Sequence, residues 1–229
     1  MMTRYAALLL ALIAVPALAA PRQVEIDYNL SHNGLEVGTV HETYTRRGNS
    51  YRIDSQTRAA GPLAVLFKGE LESISEGKIT AHGLRPTKFE QTRSDAPQKN
   101  ISSSFDWKTK QVTHTSKDRS EAVALPADAQ DRLSVLYQFM FVRPGAKKLD
   151  FDVSTGHSLS HEVYTLVGEE TLATPVGALK TLHYRNQPEK GEKQIEVWLA
   201  RDKRYLPAQV RIVDDGATAL QTLSQIKIE

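Results

Sequence analysis

His157-Ser158-Leu159-Ser160-His161 holds the closest pair of histidines in the chain, and on a helix that spacing would bring both rings to one metal ion. Gly156 and the two serines argue instead for a loop leading into a strand. On a strand the rings share a face but stand about 13 Å apart, too far for a single ion. His32, His41, His82, His114 and His183 are scattered singly and read as surface or strand residues. Glu70-Leu71-Glu72, Glu169-Glu170 and Asp214-Asp215 have the residue types for general acid and base work, but solvated strand faces or turns account for each. No G-x-S-x-G elbow and no H-E-x-x-H occur, and the chain has no cysteine, which excludes thiol catalysis and thiolate metal sites. Sequence thus nominates no catalytic residue, no metal ligand and no cofactor. The aromatics Phe67, Phe89, Phe105, Trp107 and Trp198 have the chemistry to line an acyl pocket or stack on a sugar, but core packing is the better explanation of them.

Those side chains must be positioned by strands. Short alternating segments rich in β-branched and aromatic residues are separated by turn signals at Arg47-Gly48-Asn49, Glu76-Gly77-Lys78, Ser94-Asp95-Ala96-Pro97, Pro144-Gly145, Pro175-Val176-Gly177, Glu189-Lys190-Gly191 and Asp214-Asp215-Gly216. The pattern predicts an all-β, mainly antiparallel protein of roughly a dozen strands. Twist accumulates from strand to strand, so such a sheet is expected to curl into a barrel or half-barrel. Asn33-Gly34 is a preferred pair for a two-residue hairpin turn. An unbroken ladder from it pairs Leu30 with Val37, Tyr28 with Thr39 and Ile26 with His41. Val24, Ile26, Tyr28, Leu30, Leu35 and Val37 then face the core, and Glu25, Asp27, Asn29, Glu36 and Glu42 face water.

One segment departs from the strand pattern. Asp128 to Met140 reads as a helix with Asp128 as N-cap. Leu133, Leu136, Tyr137 and Met140 recur at helical spacing, and Val135 and Phe139 widen the apolar arc to roughly 200°. Such a helix is packed on more than one side and is expected to lie across the concave side of the sheet. Leu133, Leu136, Tyr137, Phe139, Met140 and Trp198 are the residues expected to line any cavity there.

The first nineteen residues have the organisation of a secretory signal: Arg4, an apolar run from Tyr5 to Val15, and Ala17-Leu18-Ala19 as the cleavage site. The apolar run is shorter than the roughly 20 residues that span a bilayer. Cleavage is expected after Ala19, leaving residues 20–229 as one domain, large enough to form a core without disulfides. With no cysteine there is none to carry a lipid anchor, so a soluble periplasmic protein is expected. Arg4 is the only charged residue removed, and the remainder carries a net charge of +1. Basic residues are interspersed with acids, as in Arg201-Asp202-Lys203-Arg204, and a nucleic-acid partner is not expected.

Three motifs carry a family resemblance: Gly83-Leu84-Arg85-Pro86 with Lys88-Phe89, Gln130-Asp131-Arg132-Leu133-Ser134 leading to Tyr137, and Glu196-Val197-Trp198-Leu199-Ala200 with Leu206-Pro207. In these the chain resembles the exported bacterial proteins grouped as domain of unknown function 3108, from about Val24 to about Ile228. That resemblance implies export and a β-rich fold and brings no catalytic residue. Residues 196–216 are also similar to a strand-turn-strand of the periplasmic lipoprotein carriers and their outer-membrane receptor, which implies an open half-barrel holding acyl chains. The leading expectation is non-enzymatic binding of an apolar or amphipathic envelope molecule, with a lipid or lipoprotein acyl chain as partner. An envelope scaffold acting on a protein partner is the alternative, and a cell-envelope hydrolase is the third reading.

Overall fold

In a computed structural model the chain folds as a single curled sheet. The structure describes residues 20–61, 69–142, 145–188, 191 and 193–229, so the expected signal, the aromatic Phe67 and parts of two expected turns lie outside the described residues. The first eight strands are β1 (Gln23–His32), β2 (Leu35–Arg47), β3 (Ser50–Ala59), β4 (Glu70–Thr80), β5 (Gly83–Arg93), β6 (Ile101–Asp106), β7 (Gln111–Ser116) and β8 (Arg119–Ala124). Next come β9 (Gln130–Asp131) and the helix α1 (Ser134–Gln138). The chain then continues as β10 (Lys148–Ser154), β11 (Leu159–Thr174), β12 (Gly177–Asn186), β13 (Gln194–Ala200), β14 (Pro207–Asp214) and β15 (Ala217–Ile228).

The spatial order runs from β8 back to β1, then from β15 back to β9. Each neighbouring pair is antiparallel except β9 with β10. The first and last long strands therefore meet at the centre, and the two ends of the sheet are β8 and β9. Curling brings the β9 end over the concave side of β5 and β6. Gln130 Nε2 donates to the Leu84 carbonyl at 2.9 Å, and the Ser103 and Ser154 hydroxyls join β6 to β10 at 2.8 Å. Among the described residues the fifteen strands exceed the dozen expected, and the barrel-like antiparallel class holds.

Two local features of the expected pattern are corrected. Asn33-Gly34 does make the first turn, with φ of 49° and 80°, and His32 pairs with Leu35 and Ser31 with Glu36. A β-bulge then intervenes: Leu30 pairs with Gly38, Tyr28 with Val40 and Ile26 with Glu42. One extra residue on β2 reverses which of its side chains face the core. Val24, Ile26 and Tyr28 are buried as expected, Leu35 is 68% exposed, and Glu42 points inward with Val40 and Tyr44. Gly77 is likewise not a turn residue. It sits at a bulge inside β4, where a Cβ would stand 2.2 Å from the Arg85 carbonyl oxygen.

The helix is shorter than Asp128 to Met140, because Gln130 and Asp131 are drawn into a parallel bridge with Val153 and Ser154. Asp128 has φ of 60° and does not cap it. Asp131 does: its Oδ1 accepts the backbone N–H of Leu133 at 2.9 Å and of Ser134 at 2.8 Å. The Ser134 hydroxyl accepts the Asp131 N–H in return, in the manner of a capping box. The wide apolar arc has a clear use. Leu133 and Tyr137 join a core cluster with Ile26, Tyr44, Ile53 and Phe89, while Val135 and Phe139 join a second with Phe151, Tyr164 and Val197. Leu136 packs against both. Buried apolar area stabilises such a core by roughly 25 cal/mol per Å², and this short segment contributes to two clusters at once.

Candidate functional site

Two of the resemblance-bearing segments meet where α1 crosses the sheet. Gln138 Oε1 accepts the Leu84 N–H at 2.7 Å and its Nε2 donates to the His82 carbonyl at 2.7 Å. Gly83 lies between these bonds with φ of 102°, and a Cβ there would sit 2.4 Å from Gln138 Oε1. Only glycine permits both the left-handed backbone and this approach.

Beneath the helix lies a buried polar chain. Tyr137 donates its hydroxyl to Glu42 Oε2 at 3.0 Å, and Ser55 donates to Oε1 at 3.3 Å. Tyr44 stacks on Tyr137 with centroids 5.5 Å apart and on Tyr51 at 6.5 Å. Tyr51 bonds Ser75 at 3.1 Å, and Ser75 donates to Asp131 Oδ2 at 2.6 Å. Burial raises Glu42 to about 7 against the opposing pull of those two hydroxyls and of His41. Burial likewise raises Asp131 to about 6, although four hydrogen-bond donors favour its ionised form. These carboxyls have the protonation range of general acids, but they are enclosed in the core. Their arrangement ties helix to sheet.

A second buried group joins Ser103, His114 and Ser154. His114 Nδ1 stands 3.1 Å from Ser103 Oγ and 3.3 Å from Ser154 Oγ, while its Nε2 has no hydrogen-bond partner. Burial lowers the His114 pKa, and His157 adds to the effect. A serine-histidine pair is the raw material of a nucleophile, but here no carboxylate orients the ring and all three side chains are enclosed. The trio fastens β6 and β7 to β10.

Five of the six residues expected to line a cavity gather in the core around the helix, and Trp198 stands apart from them. Leu133, Tyr137 and Phe139 are packed in the core, and Leu136 and Met140 are partly buried against it. Trp198 is corrected to the opposite face of the sheet. Strand alternation turns Val197 and Leu199 toward the core, so Glu196 and Trp198 point away from it. There Trp198 stacks on His183 with centroids 4.2 Å apart and donates to Glu170. Glu196, although buried, is held down to about 2: desolvation opposes ionisation, and hydrogen bonds from Arg211, Arg185 and His183 outweigh it. His183 Nε2 lies 2.7 Å and Arg185 3.0 Å from Glu196 Oε2. His157 and His161 do not converge either; His161 pairs with Asp152 at 3.1 Å. Among the described residues no group of three histidine or acidic side chains is placed to hold a metal ion, and no helix is long and apolar enough to cross a membrane.

Open space lies instead at one rim of the barrel, in two neighbouring pockets. One, of about 510 Å³, is walled by Leu30, Val37, Ala59, Leu71 and Ala219, with Arg58 and Glu70 paired at its edge. The other, of about 660 Å³, is rich in cationic side chains. Both volumes fall in the range of small-molecule sites. Arg93, half-buried at the end of β5, lines both. Sequence reading missed this rim. The bulge in β2 places Val37 there, and no linear motif marks the convergence of these strand ends.

A single curled antiparallel sheet, crossed by one capped helical turn and open at a rim, defines a barrel-like protein with no catalytic family attached to it. The chain belongs to the family described as Protein of unknown function (DUF3108), whose model matches residues 24–222. Among solved structures it is similar to a beta-barrel-like protein of the domain of unknown function DUF1849 from Brucella abortus, with a TM-score of 0.62 at 8% identity, covering 92% of this chain and 99% of that one. At that identity the likeness concerns the fold. A protein from Bacteroides fragilis described as exported with a YmcC-like fold aligns at a TM-score of 0.38 and 12% identity, over 91% of this chain and 98% of that one. One described as a lipoprotein from Parabacteroides distasonis aligns at 0.37 and 7%, over 91% and 97%. None of the three is described as a lipoprotein carrier. Comparison with curated proteins gives no match.

Proposed function

We propose that this protein is exported to the periplasm and binds, without catalysis, an amphipathic envelope molecule whose single acyl chain enters the apolar rim pocket. The pocket of about 510 Å³ carries this reading, because its walls are aliphatic and its edge is polar, with Arg58 and Arg93 beside Glu70 and Asp95. The likeness of residues 196–216 to lipoprotein carriers agrees in ligand class, and the expected leader at residues 1–19 supplies the route. The proposed contacts are Leu30, Val37 and Leu71 rather than the residues of α1, because α1 is committed to two core clusters.

The test uses residues 20–229 purified from the periplasm. Native mass spectrometry should show a co-purifying acyl lipid, and a fluorescent fatty-acid probe should bind and be displaced by it. Leu71→Lys should weaken the probe roughly tenfold, the equivalent of exposing or charging one aliphatic contact, while thermal unfolding stays within a few degrees. A protein that carries no lipid and binds the probe equally well with Leu71→Lys would end this reading.

A further inference from the structure

We infer that the larger rim pocket is a binding site for a phosphate-class anion, held by Arg93, Lys99, Lys117, Arg119 and Arg132. The whole chain is close to neutral, yet five cationic side chains and His157 line this one pocket against a single carboxylate, Asp118. They arrive from four separate segments: the end of β5, the turn before β6, the β7–β8 turn and the residue next to the helix cap. Arg93, Lys99 and Lys117 form no ion pair with another described residue, and Arg119 pairs with Glu121 outside the pocket lining. Glu162 also faces the group, and its field reaches Arg132. Like charges gathered without matching carboxylates repel one another, and that cost is relieved when an anion occupies the centre.

The backbone supports are rigid. Arg132 follows Asp131, whose buried carboxyl holds the N–H groups of Leu133 and Ser134. Arg93 has its N–H bound by Asn100 Oδ1 at 2.8 Å. Two guanidinium groups on fixed supports suit the bidentate geometry of a phosphate, and flexible lysines can close over its remaining oxygens. The Arg132 side chain keeps contact with solvent, and its pKa is lowered by desolvation and by Arg93 against the field of Glu162, which places two guanidinium groups in one field.

The phosphate has two sources to distinguish, a lipid headgroup and a soluble phosphate ester. Arg93 forms the wall between this pocket and the apolar one, which favours the lipid. Attachment of the anion to an acyl tail rests on the function proposed above; the anion site itself does not.

The experiment compares three probes by titration calorimetry on residues 20–229: a single-chain acylglycerol 3-phosphate, the acylglycerol of the same chain length, and glycerol 3-phosphate. The acylglycerol phosphate should bind at least about tenfold more tightly than the acylglycerol, as charge-assisted hydrogen bonds to two or more cations would give, and added salt should erode that preference. Lys99→Gln with Lys117→Gln, both on exposed turns, should abolish the preference and leave acylglycerol binding unchanged; Arg132→Gln should do the same where its unfolding transition is retained. Equal affinity for acylglycerol and its phosphate, or a preference indifferent to these substitutions, overturns the anion site while leaving the acyl reading intact. Binding of glycerol 3-phosphate as tight as that of the lipid, lost in the lysine variant, upholds the anion site with a soluble ligand and removes the acyl tail. Failure of all three probes overturns both.

Discussion

Glu42 and Glu196 are both buried glutamates in the two halves of one sheet, and their environments drive them in opposite directions. Glu42 faces the core among the hydroxyls of Tyr137 and Ser55, so burial prevails and its pKa rises to about 7. Glu196 faces outward beside His183, where burial is outweighed by Arg211, Arg185 and His183 and the pKa falls to about 2. Depth alone decides neither. Neutral donors can orient a carboxyl without offsetting the cost of its charge, whereas guanidinium groups offset that cost directly. The inner glutamate is therefore a protonatable strut and the outer one a permanent anion that organises three strands, β12, β13 and β14.

The largest effect should come from the outer member. Its folded pKa lies below the ordinary 4.5, so its stabilisation is present above pH 4.5 and is lost as the pH falls toward 2. Glu196→Gln should destabilise the fold by about 2–3 kcal/mol at pH 7, less than the ~3–5 typical of breaking a fully buried pair. The reduction follows because the Arg185 and Arg211 side chains are 46% and 39% exposed and water partly replaces the lost partner. Urea unfolding of both proteins from pH 2 to 7 checks this: the difference should shrink to near zero at pH 2. A difference that stays constant across that range would mean that Glu196 acts through packing rather than charge.

For the inner member the sign is reversed. The folded state of Glu42 retains its proton up to about pH 7 while the unfolded chain loses it near 4.5, so stability is full below pH 4.5 and declines as the pH rises through 7. Glu42→Gln keeps an oxygen to accept from Tyr137 and removes the ionisation. It should be nearly neutral at pH 5 and stabilising by about 2 kcal/mol at pH 8, since each tenfold change in proton affinity corresponds to about 1.4 kcal/mol and part is lost to relaxation. Asp131, raised from 3.8 to about 6, leaves a shallower decline in the variant between those values. A Gln variant less stable than the parent at pH 8 would overturn the account of Glu42 as a carboxyl strained by ionisation.

Much of this frame is legible in the residues. Alternation along Val24, Ile26 and Tyr28 marks a core face, Asn33-Gly34 marks the first turn, and the breadth of the apolar arc around Leu133 to Met140 implies packing on both sides, as found. What is not legible is governed by single-residue events and by distant partners. A bulge between Leu30 and Ser31 has no unambiguous local signature, yet it decides that Glu42 is inside. The cap shifts from Asp128 to Asp131 because β10 recruits Gln130 and Asp131, a contact from beyond the helix itself. Trp198 reads as a pocket aromatic from its type, and only the facing of Val197 and Leu199 puts it on the outer face, stacked on His183. The cationic rim is hidden for a related reason: residues 93, 99, 117, 119 and 132 form no tract and become neighbours when the sheet curls.

The smallest effect separates hydrogen bonding from burial within the inner site. Tyr137→Phe keeps the stack on Tyr44 and the packing of the ring, and removes one donor to Glu42 Oε2. A neutral carboxyl loses little, so the cost at pH 5 should be about 1 kcal/mol, that of one buried hydrogen bond. The ionised form loses more, because the Tyr137 bond is the first of the influences opposing burial at Glu42. The Glu42 pKa should therefore rise further, and the stability loss, which still begins near pH 4.5 where the unfolded chain ionises, should extend to a higher pH, with a greater total penalty once Glu42 is ionised. Isotope-edited NMR of the Glu42 carboxyl resonance in parent and variant follows this directly. If Tyr137→Phe left the pKa in place, the hydroxyl would be a spectator, and desolvation alone would account for the contrast with Glu196.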